Sequence, residues 1–541
     1  RGTGPGPSQS GFSIGGLTPS APVGLGGILG LLGQQIRIRN QNVNVTVVQT
    51  NLDQLEAFFE ANRLSGGRLQ VEQARQGLLD AQSSLLQLQT DYQNRLDAFK
   101  IVLGLPPDLE LRIADPLLDR FDLIAPTLTA AQGRVSALLT ELRQKDRPIG
   151  EQTMKELLSV SSAIGPELAK VQDDLRKLTE SLPARRKNLA LLAEWPEVRS
   201  GTVYPAAFDV QALDARVVKL ESDYQRLAAL FQATFKALDH AVTRVRSGEK
   251  PAKKPDADAP EDPRKELTDV VEDISDQILQ LSLVQAAARL DAVPLTWVDL
   301  RSDEAYEIAR ANRPDWMNAR ASLVDTWRQI EVTANALKAG LSVTVNGNVR
   351  SDGTTNPLNG SVTNDLSVGV QFDAPLTRLV ERNAYRTALI NYQQARRDYM
   401  AFEDNINQIL RGEIRDIRFN QIDFEMRRAA VFVAIMQLDL TRLNLQRPPK
   451  AGETSQLGAT TARDLLTASS ALLSAQNSFL TGWLNYEIQR MNLDLDLGTM
   501  RLDENGMWID PGPIQSGHGV MGSPSATAAE DIPPPAPAAT L

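Results

Sequence analysis

Two stretches that lie far apart in the chain are copies of one another, and they decide the fold. They read RLQVEQARQGLLDAQSSLLQLQTDYQNRLDAFKIVLG (residues 68–104) and ARDLLTASSALLSAQNSFLTGWLNYEIQRMNLDLDLG (residues 462–498). Placed on one another without a gap, they are identical at ten of 37 positions. A repeat at this separation indicates two similar halves, neither of which can bury its apolar seam alone. The identical pairs are Ala74/Ala468, Leu78/Leu472, Leu79/Leu473, Ala81/Ala475, Gln82/Gln476, Ser84/Ser478, Leu86/Leu480, Tyr92/Tyr486, Leu103/Leu497 and Gly104/Gly498.

Each copy is the second arm of a predicted helical hairpin. In the first half, a helix over 28–62 is followed by a break at 63–67, and the second arm ends at Gly104-Leu105-Pro106-Pro107. Gly followed by Pro is a typical helix C-terminus. In the second half, no Pro occurs between Pro375 and Pro448, which predicts one helix over 376–447 and a return helix over 460–498.

The long helix carries apolar residues at heptad spacing, the pattern of a coiled coil. The seam slips near 413–417, where a stutter would locally unwind a supercoil. The seam therefore predicts that this helix packs lengthwise against another one. Its a positions are Tyr385, Tyr392, Tyr399 and Ile406, and its d positions are Ala388, Ala395, Phe402 and Ile409.

A β-hairpin is predicted over 341–372 because apolar and polar residues alternate strictly in two short segments. Each segment has about ten residues, the length that crosses a bilayer when a strand is tilted. A half-buried hairpin of a soluble protein has the same pattern, and on these two strands alone that interpretation is favoured. The apolar positions are Leu341, Val343, Val345, Val349, Leu366, Val368, Val370 and Phe372.

The rest of the chain divides by composition. Residues 108–294 indicate a helical insertion, in which the Pro-rich and charged run 248–265 has the composition of a disordered linker. Residues 1–27 are a Gly/Pro/Ser-rich flexible segment, and 501–541 are assigned to a disordered tail. Helix breaks inside the insertion are expected at its prolines, namely Pro126, Pro148, Pro166, Pro183 and Pro196.

Composition excludes several classes of function. The net charge of −10 argues against nucleic acid as the main partner, because phosphate contacts need clustered Lys and Arg. Cys is absent and only His240 and His518 occur, so neither thiol chemistry nor a His-rich metal site is expected. No nucleophile–base pair or phosphate loop is recognised, so we expect no enzyme, cofactor or metal. No run of 18 apolar residues predicts a transmembrane helix.

In their order along the chain, the motifs resemble the outer-membrane efflux proteins of the TolC family. The matching segments cover about 28–107 and 295–500: VEQARQGLLDAQ followed by LGLPP, the run Asn312-Arg313-Pro314-Asp315, the two strands followed by Ala374-Pro375-Leu376, and ARDLLTASSALLSAQNSFL. The resemblance implies a mainly α fold with a small β part. Long antiparallel coiled-coil hairpins would form an α-barrel tunnel, and the β-hairpin would contribute to a trimeric transmembrane β-barrel.

The same resemblance implies a function. The chain would be the outer-membrane duct of a tripartite efflux or type I secretion system, exporting small molecules or proteins from the periplasm. It would act as a homotrimer in the outer membrane with a long periplasmic portion, and a periplasmic adaptor and an inner-membrane pump would be its partners. The alternative from the residues alone is a soluble coiled-coil scaffold or tether without channel activity.

The chain departs from the family pattern in two ways. Only one β-hairpin is present, and the first residues lack Met and the apolar segment of a signal peptide. The chain is therefore expected to be a fragment whose first hairpin precedes Arg1. In addition, the insertion 108–294 is longer than the family's mid-chain connection, and it is expected to form a collar at the waist of the tunnel.

The family resemblance also places a gate at the tips of the helical hairpins. Asp464 matches the first of two acidic residues three apart in the family's second tip, whereas Thr467 stands at the second position and Gln70 at the paired position of the first repeat. Three copies of Asp464 would attract cations at the tunnel entrance. The competing interpretation is an acid that stabilises a helix N-terminus. Adaptor contacts would involve Leu64, Ser65, Gly66, Gly67, Leu457 and Gly458, although Leu457-Gly458 is equally typical of a plain turn.

Overall fold

The computed structural model describes residues 27–60, 68–113, 121–143, 151–201, 203–247, 263–351, 362–373, 378–446, 460–504 and 506–515. The chain divides into two compact units. Unit 1 is Arg1–Trp297 with Asp416–Arg490, and unit 2 is Val298–Arg415 with Met491–Leu541. This division follows contacts, whereas the division predicted from sequence follows the repeat.

Unit 1 consists of helices and their connecting segments in its described residues. Besides parts of α10 and α11 and a 3-10 turn at Pro205–Ala207, it contains α1 (Ile28–Glu60), α2 (Arg68–Val102), α3 (Pro126–Arg143), α4 (Glu151–Ala193), α5 (Pro196–Arg199), α6 (Val210–Ser247) and α7 (Pro263–Ala292). Unit 2 contains β1 (Val298–Asp299), α8 (Ser302–Asn312), α9 (Pro314–Asn335), β2 (Gly340–Ser351), β3 (Val362–Asp373) and β4 (Ile514–Gln515). The helices α10 (Leu379–Gln446) and α11 (Thr461–Asp496) contribute residues to both units.

The first helical hairpin is held by an apolar core near its tip. Leu52 and Leu55 of α1 pack with Val71 and Ala74 of α2, and Ala462 at the start of α11 completes the cluster. These residues recur every three or four positions along their helices, so each helix presents one apolar face. The core therefore joins the beginning of α2 to the beginning of α11.

The insertion packs around α7. Almost every residue from Leu281 to Leu290 is buried, because neighbouring helices cover α7 on all sides there. Gln285 accepts a hydrogen bond from the backbone N–H of Ala125 at 2.9 Å and donates one to Asp174 on α4 at 3.0 Å. Phe121, just before α3, packs against Trp483 of α11 with ring centroids 4.7 Å apart. The insertion is thus packed directly against the repeat helices of unit 1.

Two of the predicted helix breaks in the insertion are wrong. Pro166 and Pro183 lie inside α4, which continues through both. A proline inside a helix costs about 3 kcal/mol because it removes one hydrogen bond and crowds the preceding turn. Both prolines lie on the exposed face, while the residues around them, such as Ile164 and Leu182, are buried in the bundle. Packing of that buried face outweighs the local penalty.

In unit 2 the heptad seam faces α9. Ala388 and Tyr392 of α10 form a core with Leu323 and Ile330 of α9. Phe402 and Ile406 are also buried, and the seam then passes to Leu410, Ile414 and Ile417. The seven-residue spacing of the seam changes where the sequence predicts the stutter. It changes because apolar residues seven apart drift slowly around a straight helix and leave the packed side.

Part of the predicted disordered tail is folded, so that assignment is wrong for residues 501–504 and 506–515. Ile514 is fully buried and pairs in parallel with Val298, and Leu502 bridges to Trp508. The indole N–H of Trp508 donates to Asp494 at 2.8 Å, which ties the segment to α11. The sequence predictions for 1–26, the break at 63–67, Pro148, 248–262, 374–377, 447–459 and 516–541 lie outside the described residues.

Candidate functional site

The two repeat arms end in the same backbone geometry. Gly104 and Gly498 both have positive φ, 72° and 73°. After each, a backbone N–H reaches back five residues, from Leu105 to Lys100 at 2.8 Å and from Thr499 to Asp494 at 3.1 Å. This is the Schellman ending, which needs the left-handed conformation that glycine adopts without strain.

A hydrogen bond inside each hairpin is also duplicated. Gln35 of α1 donates to the Tyr92 hydroxyl at 2.6 Å, and Gln421 of α10 donates to the Tyr486 hydroxyl at 3.3 Å. Tyr92 and Tyr486 are repeat equivalents in the sequence. The pair of glutamines extends the repeat to the first arm of each hairpin.

The motif Asn312-Arg313-Pro314-Asp315 meets the second Leu-Gly ending within unit 2. The Arg313 guanidinium donates to both carboxylate oxygens of Asp315, at 3.1 and 2.8 Å, and to Asp496 at 3.2 Å. Its ion pairs raise the pKa of Arg313 even though burial acts to lower it. A Cβ at Gly498 would lie 3.0 Å from the carbonyl carbon of Asn312, so only glycine fits there without a shift. The two sequence motifs therefore form one joint.

Equivalent residues of the two repeats differ sharply in exposure. Leu480 of α11 is 1% exposed, whereas its equivalent Leu86 of α2 is 64% exposed. Likewise Leu473 is half-buried and Leu79 is 59% exposed. The face of α11 is covered by α1: Arg37 donates to Thr481 at 2.9 Å, and a Cβ at Gly33 would lie 2.7 Å from Leu484. No described helix of the chain covers the corresponding face of α2.

A second exposed stripe along α10 consists of three separated residues, because the residue at the intervening heptad position, Met426, packs against the cluster that contains Leu192 and Phe208. Phe419, Val433 and Leu440 are 61%, 55% and 54% exposed, and they are spaced by multiples of seven residues. This is the spacing of one face of a supercoiled helix. By the repeat, this part of α10 corresponds to α1, the helix that covers α11.

The β-hairpin has one apolar face and one polar face, and both are exposed in the single chain. Leu341 pairs with Phe372, Val343 with Val370 and Val345 with Val368 on the apolar face. Its eight large side chains are between 60% and 74% exposed. Ser342, Asn346 and Arg350 lie on the opposite face, as alternation along a strand requires.

The predicted tip residues are only partly described. Asp464 is exposed in the first turn of α11, and its carboxylate accepts a hydrogen bond from Thr460 at 2.9 Å. Thr467 is exposed and donates to the carbonyl of Arg463 at 2.8 Å, whereas Gln70 is 1% exposed in the packed beginning of α2. The structure does not bring Gln70 to the exposed surface with the other two. The tips with Leu64, Ser65, Gly66, Gly67, Leu457 and Gly458 lie outside the described residues.

A buried ionic cluster joins the insertion to α10, all within unit 1. Arg185 of α4 contacts Asp291 of α7 at 2.7 Å and Glu425 of α10 at 3.6 Å. Arg428 contacts Glu425 at 3.1 Å, and Arg216 of α6 lies 3.7 Å from Asp291. The carboxylates and the guanidiniums of Arg185 and Arg428 are at most 7% exposed.

The cluster also caps α7. Arg428 donates to the carbonyls of Leu290 and Val293, at 2.6 and 2.9 Å, where the last helical carbonyls have no partner within the helix. Burial acts to raise the pKa of Asp291, but the neighbouring guanidiniums of Arg185, Arg216 and Arg428 hold it below its ordinary value. Burial and the charge of Arg185 lower the pKa of Arg428 to about 10.

The solved structures to which this chain is similar include three outer-membrane proteins. VceC of Vibrio cholerae, an outer membrane protein, matches with 14% identity over 69% of this chain and 74% of its own, at a TM-score of 0.28. The CmeC outer membrane channel of Campylobacter jejuni matches with 14% identity over 69% and 68%, at 0.26. The MtrE outer membrane channel of Neisseria gonorrhoeae matches with 15% identity over 68% and 71%, at 0.25.

Two of these three are channels. TM-scores this low describe a loose superposition, so the motifs and the repeat geometry must carry any functional inference. No family model and no curated protein sequence matches the chain.

Two further properties of the described ranges bear on function. None of the helices there is both long and apolar enough to cross a membrane. Among the same residues, no group of three or more His, Asp or Glu side chains is placed to hold a metal ion.

Sequence reasoning missed the buried ionic cluster and the exposed stripe of α10. The stripe could have been found, because Phe419, Val433 and Leu440 have heptad spacing. The cluster could not, because Arg185, Asp291 and Glu425 are separated by more than a hundred residues each and are ordinary charged residues in their local sequence.

Proposed function

We propose that this chain is a subunit of an outer-membrane duct for efflux or secretion. It would be a passive conduit from the periplasm to the exterior, built as a homotrimer. The repeated hairpins would form the periplasmic conduit, and the β-hairpin would supply strands to a shared barrel in the outer membrane. A periplasmic adaptor and an inner-membrane pump, which the TolC resemblance implies, would be its partners.

The exposed face of α2 carries this proposal. Leu86 and Leu79 are retained in both repeats, yet only their equivalents in α11 are covered. Covering one exposed leucine is worth about 1.5–3 kcal/mol, so a row of them favours a partner surface. In the repeat, α10 corresponds to α1 and α2 corresponds to α11. Since α1 covers α11 within one chain, we expect α10 of a second copy to cover α2. Such a contact is head-to-tail and closes into a ring when the rotation allows it.

The exposed apolar face of the β-hairpin supports a lipid contact. Eight large apolar side chains on one face favour removal from water, and the paired polar face suits a water-filled interior. Two strands in a single chain leave unpaired backbone edges, which lipid does not tolerate. Pairing with strands of other copies would satisfy those edges.

Asp464 would form the cation-attracting ring near the tip. It is exposed in the first turn of α11, and neither Thr467 nor the buried Gln70 adds a charge to it. Three carboxylates near one axis concentrate a negative field in a narrow entrance. Asp464→Asn should then weaken block by divalent cations in single-channel recordings. Unchanged block would mean that Asp464 forms no cation-attracting ring and only accepts the hydrogen bond from Thr460.

Self-association tests the ring. Leu86→Asp should abolish the trimer seen by native mass spectrometry in detergent, while circular dichroism keeps its helical signal. Val218→Asp is the matched control, because Val218 of α6 is 67% exposed and lies outside both hairpins. A trimer that survives Leu86→Asp, or a wild-type monomer, would remove the argument for a ring.

Membrane insertion tests the hairpin. The pair Val345→Asp with Val368→Asp charges two facing residues of the apolar face, and it should prevent recovery with outer-membrane vesicles. The pair Asn346→Asp with Ser367→Asp is the control, since those residues face each other on the polar side of the same strands. Two outcomes would favour the soluble scaffold. In the first, both variants are recovered equally with membranes. In the second, neither the variants nor the wild type are recovered with membranes.

A further inference from the structure

A cavity in unit 1 is lined by none of the residues on which the proposed duct rests. It has a volume of about 300 Å³ and opens between α6, α7 and the second half of α10. Leu227 of α6, Leu283 and Ala287 of α7, and Phe432 and Ile435 of α10 line it. Most of these side chains are buried, so the cavity has an apolar floor. Cavities of this size and lining are typical of sites for small molecules.

One helix face carries the charges at the mouth. Arg216, Lys219, Asp223 and Arg226 line the cavity from α6 at spacings of three and four residues, which place them on one stripe. Arg226 lies 3.3 Å from Asp223, and Arg216 lies 3.7 Å from Asp291. No carboxylate of the described chain lies within ion-pair distance of Lys219, so its ammonium group is available at the mouth.

One carboxylate lines the cavity from the opposite wall. Asp439 of α10 lines the cavity and is half-buried. Burial raises its pKa, against the opposing charges of Lys219, Arg442 and Arg226. Among the residues that line the cavity, the three cationic side chains Arg216, Lys219 and Arg226 outnumber the two carboxylates of Asp223 and Asp439.

We propose that this cavity binds a small amphipathic anion, with its apolar body against α7 and α10 and a single carboxylate at Lys219. The floor removes apolar surface from water, and the exposed ammonium of Lys219 supplies a charge-assisted hydrogen bond. The flexible stem of Lys219 can place that charge over the mouth without disturbing α6. The site is independent of the proposed duct, because binding can be measured on the purified chain.

The experiment compares three probes that share one ten-carbon chain. Decanoate, decanol and decylammonium are titrated into the wild-type chain by isothermal calorimetry below their micelle concentrations. Decanoate should bind with one site per chain and at least about tenfold more tightly than decylammonium. Equal or tighter binding of decylammonium would overturn the assignment of charge, and absence of decanoate binding would overturn the site.

Two variants locate the site, and one controls for charge. Lys219→Gln should weaken decanoate binding about tenfold and leave decanol binding unchanged. Leu230→Trp should weaken both, because Leu230 lines the cavity while being 44% exposed, so that a larger ring can enter the mouth without disturbing the core. Lys236→Gln, an exposed change on the same helix away from the cavity, should change neither. Decanoate binding that is unaffected by Lys219→Gln and Leu230→Trp would be adsorption elsewhere and would refute the proposal.

Discussion

In the second hairpin, Leu480 of α11 is 1% exposed, whereas its repeat equivalent Leu86 in the first hairpin is 64% exposed. Both hairpins nevertheless consist of α-helices, and they share the Gln–Tyr hydrogen bond and the helix ending at a glycine. The comparison teaches that the repeated sequence specifies the local geometry of a hairpin. What covers each hairpin depends on which neighbour its position in the chain supplies.

The first arms of the hairpins differ in the same way. Arg39 stands four residues after Gln35, and Glu425 stands four residues after Gln421. Arg39 forms an ion pair with Asp122 at 2.6 Å, with its side chain 46% exposed. Glu425 is 7% exposed and belongs to the ionic cluster of the insertion. The same position of the repeat therefore holds a residue of a surface ion pair in the first hairpin and a residue of the buried ionic cluster, the buried anchor, in the second.

The largest effect is expected from breaking the buried anchor. Asp291→Asn removes the counter-charge of Arg185 and Arg216 and should cost about 3–5 kcal/mol in the free energy of unfolding, because it leaves buried guanidiniums uncompensated. Arg39→Gln, which removes the surface pair of the other hairpin, should cost at most about 1 kcal/mol. Urea denaturation followed by circular dichroism measures both, and equal losses would contradict the distinction.

The next effect compares the repeat leucines directly. Leu480→Ala should lower the free energy of unfolding by about 2–5 kcal/mol, since it leaves a cavity in a packed core. Leu86→Ala should change the unfolding of the isolated chain by about 0.5 kcal/mol or less, and should instead weaken self-association in sedimentation experiments. A large loss of chain stability from Leu86→Ala would mean that α2 is already covered within one copy.

A pH-dependent effect is expected where α1 and α10 meet α7. Asp276 of α7 accepts a hydrogen bond from Gln54 of α1 at 3.0 Å. Burial raises its pKa from 3.8 to about 6, the charge of Arg442 opposes this, and Asp273 and Glu272 add to it. Because the folded pKa lies above the unfolded one, the stability contributed by the neutral acid is complete below about pH 4 and is lost as the pH rises through about 6.

The measurement is the difference between two pH profiles. The wild type should lose about 2.4 kcal/mol more than Asp276→Asn between pH 4 and pH 7, since the amide does not ionise. Urea denaturation at several pH values gives both curves. Parallel curves would show that Asp276 titrates as an ordinary surface carboxyl and that this junction has no pH dependence.

The smallest effect is the difference in stability cost between replacing Gly104 and replacing Gly498, the glycines that end α2 and α11. Gly104→Ala should cost about 1 kcal/mol, the strain of a side chain at positive φ, because a Cβ there meets open space. Gly498→Ala should cost about 1 kcal/mol more, since its Cβ would press on the backbone of Asn312 and Arg313 at 3.0 and 3.1 Å. Thermal denaturation of the two variants checks the order; the reverse order would mean that the joint with Arg313 yields easily.

The sequence by itself determined the elements and their ends. The heptad seam predicted that α10 packs lengthwise, alternation predicted the two strands and their two faces, and the Gly-Pro run predicted the end of α2. These features depend on residues within a few positions of one another, where backbone sterics and side-chain spacing decide the conformation. The two prolines of α4 show the limit, because buried neighbours from other helices outweighed a local rule.

Only the tertiary structure decided which charges are buried and which apolar faces are covered. The cluster of Arg185, Asp291 and Glu425, and the joint between Arg313 and Gly498, bring together residues that are distant in sequence. Local spacing contains no information about such partners, since desolvation and close packing depend on the elements that meet in space. For the same reason, identical leucines are buried in one repeat and exposed in the other.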